Sequence, residues 1–74
     1  MSAAGSMRIV LNGEPRELSA DATVEEAVAA TGAGERRAGL AVAVDGEVVP
    51  RGEWTRTPLA DGQRVEVLQA VQGG

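Results

Sequence analysis

Three dipeptides divide this chain: Asn12-Gly13, Asp45-Gly46 and Asp61-Gly62. Each marks a tight turn. Asn12-Gly13 is the strongest, a type I′ hairpin signal in which both central residues take positive φ. Strand-like sequence flanks all three. Met7, Ile9 and Leu11 alternate with Arg8, Val10 and Asn12, the period-two pattern of a half-buried strand. The return strand spans Pro15–Ser19, with Leu18 its core candidate; Pro15 lacks an N–H and belongs at a strand start or on an edge. Leu40-Ala41-Val42-Ala43-Val44 alternates large with small, so the alanines leave a shallow face opposite the core. Glu47–Val49 returns from the second turn, and Pro50 ends the pairing. After the third turn Arg64–Ala70 forms the last strand, Val65 and Val67 inward, Glu66 outward. Leu68 and Ala70 share that outward face, which is unusual for apolar residues.

Between the first and second strand pairs lies a helical pattern. Thr23-Val24-Glu25-Glu26 fits a capping box, in which the Thr23 hydroxyl and the Glu26 carboxylate cap each other's amides. Val24, Ala27, Val28 and Thr31 fall on one narrow face, and Gly32 ends the helix as a C′ glycine. A polar loop with Arg36 and Arg37 follows to Gly39. A helix of two turns covers only one face of a small sheet. The order hairpin, helix, strand pair, final strand is therefore an α+β, ubiquitin-like β-grasp, a mixed sheet with one main helix on one face. Residues 1–6 are small and polar and read as a leader or expression scar outside the fold; 7–70 form the domain and 71–74 a flexible tail.

Composition narrows the function classes. The chain has 74 residues with no Cys and no His, so neither disulfides nor a zinc site can staple it. Aliphatic packing must suffice, with Trp54 the lone aromatic, placed to cover a core edge. The net charge is -4 and every basic residue is Arg. An acidic chain without stacking aromatics is a poor nucleic-acid binder and suits a protein partner. With no Lys, it offers no side-chain amine as an isopeptide acceptor. No apolar run approaches the roughly 20 residues of a membrane span, and no signal pattern opens the chain, so a cytoplasmic monomer is expected.

Catalysis by imidazole or thiol is excluded. Glu25 and Glu26 are helix neighbours that do not face one another, and they read as cap and solvated surface. Gly32-Ala33-Gly34 precedes no P-loop lysine. No metal ligands or bound cofactor are expected, and no side chain is a catalytic candidate. The distinctive group left is the carboxylate of Gly74, behind Gly73, whose missing side chain lets the pair enter a narrow channel. A free carboxylate is a poor electrophile. It needs activation, most simply as an acyl-adenylate, and attack by sulfur on that species would leave a thiocarboxylate.

The run Leu40 to Trp54, with Val49-Pro50-Arg51 and Trp54, resembles the V-P-R-x-x-W region of ThiS, the sulfur carrier family of thiamine biosynthesis. Leu59-Ala60-Asp61-Gly62-Gln63-Arg64-Val65-Glu66-Val67 is similar to that family's L-x-D-G-D-x-V-E-I segment. Ala70-Val71-Gln72-Gly73-Gly74 is similar to its A-V-x-G-G ending. Gln63 stands where the family usually has an acid, and Gln72 where it often has glycine. The resemblance implies a carrier that is a substrate, not an enzyme. A ubiquitin-activating-like adenylyltransferase of the ThiF type would spend ATP to adenylate Gly74. Sulfur from a cysteine desulfurase relay would displace AMP, and the thiocarboxylate would feed a thiazole synthase of the ThiG type. Val71, Gln72 and Gly73 would form the tail; Leu68, Ala70 and Arg51 are candidate partner contacts, although Arg51 also reads as an ordinary loop-anchoring side chain. A sister carrier for molybdopterin or cysteine synthesis, a protein-conjugating modifier, and a binding module with an incidental Gly-Gly remain alternatives.

Overall fold

The alternating sequence folds as the turns dictate. The computed structural model describes residues 5–31 and 39–69. Strand β1 (Ser6–Leu11) turns at Asn12-Gly13, φ +51° and +84°, into β2 (Glu14–Ser19). Helix α1 (Val24–Ala30) follows, then β3 (Leu40–Val44) and β4 (Glu47–Val49) around Asp45-Gly46, φ +51° and +87°. A 3₁₀ helix, Arg51–Arg56, leads through the Asp61-Gly62 turn to β5 (Arg64–Gln69). The five strands lie in the order β2-β1-β5-β3-β4. β1 and β5 are parallel neighbours at the centre, and an antiparallel hairpin closes each side.

Period-two burial puts the core on one face of this sheet. Met7, Ile9 and Leu11 of β1, Val42 of β3, and Val65 and Val67 of β5 are buried together. Val24, Ala27 and Val28 of α1 are buried in the same core, as the helical spacing requires. Leu18, Leu40 and Val44 are half-buried at its margin. Ala22 and Leu59 complete it from connecting segments, tied by the Leu59 N–H donating to the Ala22 carbonyl at 3.0 Å. Neither belongs to a periodic run, so pattern reading passes over them.

Three local features depart from the sequence reading. β1 starts at Ser6, one residue ahead of Met7: Ser6 pairs with Ser19, and its hydroxyl donates to Glu17 Oε2 at 2.6 Å. The capping box does not form. Thr23 is the N-cap residue, but its side chain makes no cap hydrogen bond. Thr23 is instead held in an extended bridge with Pro58, and the Val24 N–H donates to the Thr57 carbonyl at 3.0 Å. A neighbouring backbone thus serves a helix-end donor, and the Glu26 N–H goes to the Thr23 carbonyl at 3.0 Å. The third departure is the 3₁₀ helix. Pro50, at φ -60° and ψ 146°, turns the chain off the β4 edge, and the helical turn after it drives Trp54 into the core at 1% exposure. Trp54 is therefore a central core residue packed beneath this connection, beyond the edge cover expected of it. Gly32, the loop it opens and residues 70–74 lie outside the described residues.

Candidate functional site

Strand register brings two of the sequence-predicted site residues to one end of the sheet. Val49 of β4 and Val67 of β5 both lie opposite Val42 of β3, so β4 and β5 run the same way. Pro50-Arg51 therefore leaves β4 at the level where Leu68 and Gln69 finish β5. Arg51 and Leu68 share the end from which the chain continues toward Gly74. Ala70, Val71, Gln72, Gly73 and Gly74 lie outside the described residues.

Arg51 is exposed, and its guanidinium carbon lies 6.0 Å from the centroid of the Trp54 ring. The ring beneath it is fixed by packing and by Trp54 Nε1–H, which donates to the Val49 carbonyl at 3.0 Å. That contact is a cation–π arrangement, worth about 0.5–1 kcal/mol at an exposed site. Its larger effect is to give a long side chain a preferred seat, so both the anchoring and the partner-contact readings have a geometric basis.

The outward face of the sheet carries the rest. Leu68 is 60% exposed and lies opposite Ala41, while Glu66 lies opposite Ala43. Val48, 73% exposed, lies opposite Ala43 from the other side. Cross-strand partners project to the same face, so Leu68 and Val48 rise on either side of a floor made by Ala41 and Ala43. Two strand spacings of about 4.8 Å and a two-residue offset set them roughly 12 Å apart. They are the large apolar side chains exposed among the described residues. Val48 was missed in the sequence because a three-residue strand shows no readable alternation. Its position opposite Ala43 emerges only once the Asp45-Gly46 turn fixes the register.

At the other end of the sheet an open hollow of about 480 Å³ lies between the Asp45-Gly46 and Asp61-Gly62 turns. Asp45 is occupied structurally there: Oδ1 accepts the Arg64 N–H at 3.0 Å, and Oδ2 accepts Gln63 Nε2 at 3.3 Å. Gln63 Oε1 in turn accepts the Ala60 N–H at 2.8 Å. An acid at position 63 could not donate to Asp45, so glutamine there ties two turns together. Among the described residues no cluster of His, Cys, Asp or Glu could hold a metal, and no helix is long and apolar enough to cross a membrane.

The chain is similar to known proteins. The chain matches the ThiS family over residues 9–74. It is 31% identical over 68 residues to the sulfur carrier protein ThiS of Escherichia coli, covering 92% of this chain and 100% of that one. It is 34% identical over 68 residues to a thiazole synthase of Paramagnetospirillum magneticum, and there it spans only 20% of the relative's length. A crystal structure of the thiamine biosynthesis protein ThiS of Geobacter metallireducens has a TM-score of 0.76 at 28% identity, over 92% of this chain and 100% of that one.

Proposed function

The chain belongs to the ThiS family, and from that premise we propose that it is the sulfur carrier of thiazole formation in thiamine biosynthesis, working in the cytoplasm as a substrate of other enzymes. The observation that carries this reading is the family match running through Gly74. In the proposed cycle, a Gly74 carboxylate oxygen attacks the α-phosphorus of ATP on a ThiF-type adenylyltransferase and pyrophosphate leaves. A persulfide supplied by a cysteine desulfurase relay attacks the acyl carbon and AMP departs. A thiol then attacks the outer sulfur of the acyl disulfide, forming a disulfide and releasing the Gly74 thiocarboxylate. The resulting thiocarboxylate gives its sulfur to a ThiG-type thiazole synthase.

The composition supports a passive role, since no His or Cys is available to do chemistry within the chain. The similarity to one part of a thiazole synthase supports the partnership, because that polypeptide holds a stretch like this one within its own length. Leu68, Val48 and the alanine floor supply an apolar contact beside the departing strand, and Arg51 supplies a seated cation at the same end. The test is intact-mass spectrometry after incubation with the activating enzyme, ATP and a sulfur donor. The expected result is the mass gain of one oxygen-to-sulfur exchange, lost on deletion of Gly74. An active enzyme that leaves the mass unchanged would defeat the reading.

A further inference from the structure

We infer that Asn12 is a positioning residue for the outgoing chain: its side-chain carbonyl replaces a missing strand rung and fixes the direction in which β5 leaves the sheet. The inference rests on the carrier reading, because direction matters only if the residues beyond β5 must reach a partner.

The observation is a ladder completed by a side chain. β1 and β5 pair in parallel, with Val10 opposite Arg64 and Leu11 opposite Val65. Rungs recur at every second residue: the Val10 N–H donates to the Gln63 carbonyl at 2.9 Å, and the Asn12 N–H to the Val65 carbonyl at 2.9 Å. The next rung would run from the Val67 N–H to the main-chain carbonyl of residue 12. At φ +51° the Asn12 backbone has already entered the turn. Asn12 Oδ1 takes the place of that carbonyl and accepts the Val67 N–H at 2.8 Å.

Past this point, among the described residues, β5 is held on one side only. β3 continues to pair with it through Leu68, opposite Ala41, and Gln69, opposite Leu40. On the β1 flank, strand alternation leaves Gln69 facing the side where β1 has ended. Among the described residues, the Asn12 side chain is the last hydrogen bond on that flank. A strand held at one edge pivots about its remaining partner. From Val67 the seven residues to Gly74 can span at most about 23–25 Å, so a pivot of about 20° moves the reach of the end by up to about 8 Å. Reacting groups tolerate misplacement of only about 1 Å.

The same residue serves the turn, so the test must separate the two roles. Asn12→Gly keeps positive φ and deletes the acceptor; Asn12→Asp keeps both, since Asp also tolerates this conformation. Each full-length variant is measured for amide exchange at Val67 and for steady-state adenylation of Gly74 by the activating enzyme. Removing one hydrogen bond multiplies the ratio of released to held β5 ends by about fivefold. Where released ends predominate, the fraction of carrier aimed correctly falls by the same factor and apparent affinity with it. Asn12→Gly is therefore expected to lose Val67 protection and to raise KM about fivefold at unchanged kcat; Asn12→Asp restores both. Loss of protection with a wild-type KM would overturn the positioning role alone, as would failure of Asn12→Asp to restore it. A wild-type chain that is never adenylated by a competent enzyme would overturn the carrier reading and this role with it.

Discussion

Truncating Trp54 probes the deepest part of this small core. Its ring is 1% exposed, and its Nε1–H is committed to the Val49 carbonyl at 3.0 Å. Trp54→Ala deletes the whole ring beneath the 3₁₀ helix and orphans that carbonyl, at a cost of about 4 kcal/mol. A domain of 74 residues has total stability of about 4–11 kcal/mol. The alanine variant should therefore retain only about 0–7 kcal/mol, and it unfolds at 25 °C at the lower end of that range. Trp54→Phe retains much of the ring and loses the donor and some volume, costing about 2 kcal/mol. At a urea slope of about 1 kcal/mol/M, its midpoint should fall by about 2 M. Because the chain has no other aromatic residue, either variant abolishes the fluorescence probe, and the transition must be followed by far-UV circular dichroism. A Trp54→Phe midpoint within about 0.5 M of wild type would refute the reasoning, since neither the hydrogen bond nor the packing could then carry the weight assigned to them.

Two further outcomes are expected from departures at the helix start and on the outward face. Thr23→Val removes a hydroxyl that makes no cap hydrogen bond, so urea titration should show a loss below about 0.5 kcal/mol, where a working threonine cap is worth about 1 kcal/mol. Leu68→Glu and Val48→Glu change exposed side chains and should leave stability within about 0.5 kcal/mol. On the carrier reading, calorimetric titration with the activating enzyme should show each weakening binding about tenfold, and unchanged affinity would remove the outward strip from the interface.

What the sequence disclosed and what it withheld divide along the range of the interactions. Asn12-Gly13 and Asp45-Gly46 were legible because positive φ is a local demand that few residue pairs meet, and both turns take it. The inward faces of β1, β3 and β5 were legible because alternation is a property of each strand alone. Thr23 and Glu26 matched a local motif as well, yet the Thr57 carbonyl, more than thirty residues along the chain, reached the Val24 N–H. Local pattern defines which partners are possible; tertiary structure decides which one arrives first.

Asn12 and Val48 show the same limit at the candidate site. Asn-Gly announces a turn and says nothing about where the amide oxygen goes, because its partner Val67 lies 55 residues away. Val48 is one valine among many until β3 places it opposite Ala43. Gly73-Gly74, by contrast, lies outside the described residues and is proposed from residue chemistry alone. With no Cys and no His in the chain, thiol and imidazole chemistry are excluded, and the proposed carrier group is the unhindered terminal carboxylate. The two kinds of knowledge meet at β5. Its inward residues Val65 and Val67 are buried in the core, while outward Leu68 is left exposed beside Ala41. Alternation along one strand thus separates what holds the domain together from what it can offer a partner, and substitutions on the two faces should divide cleanly between stability and binding.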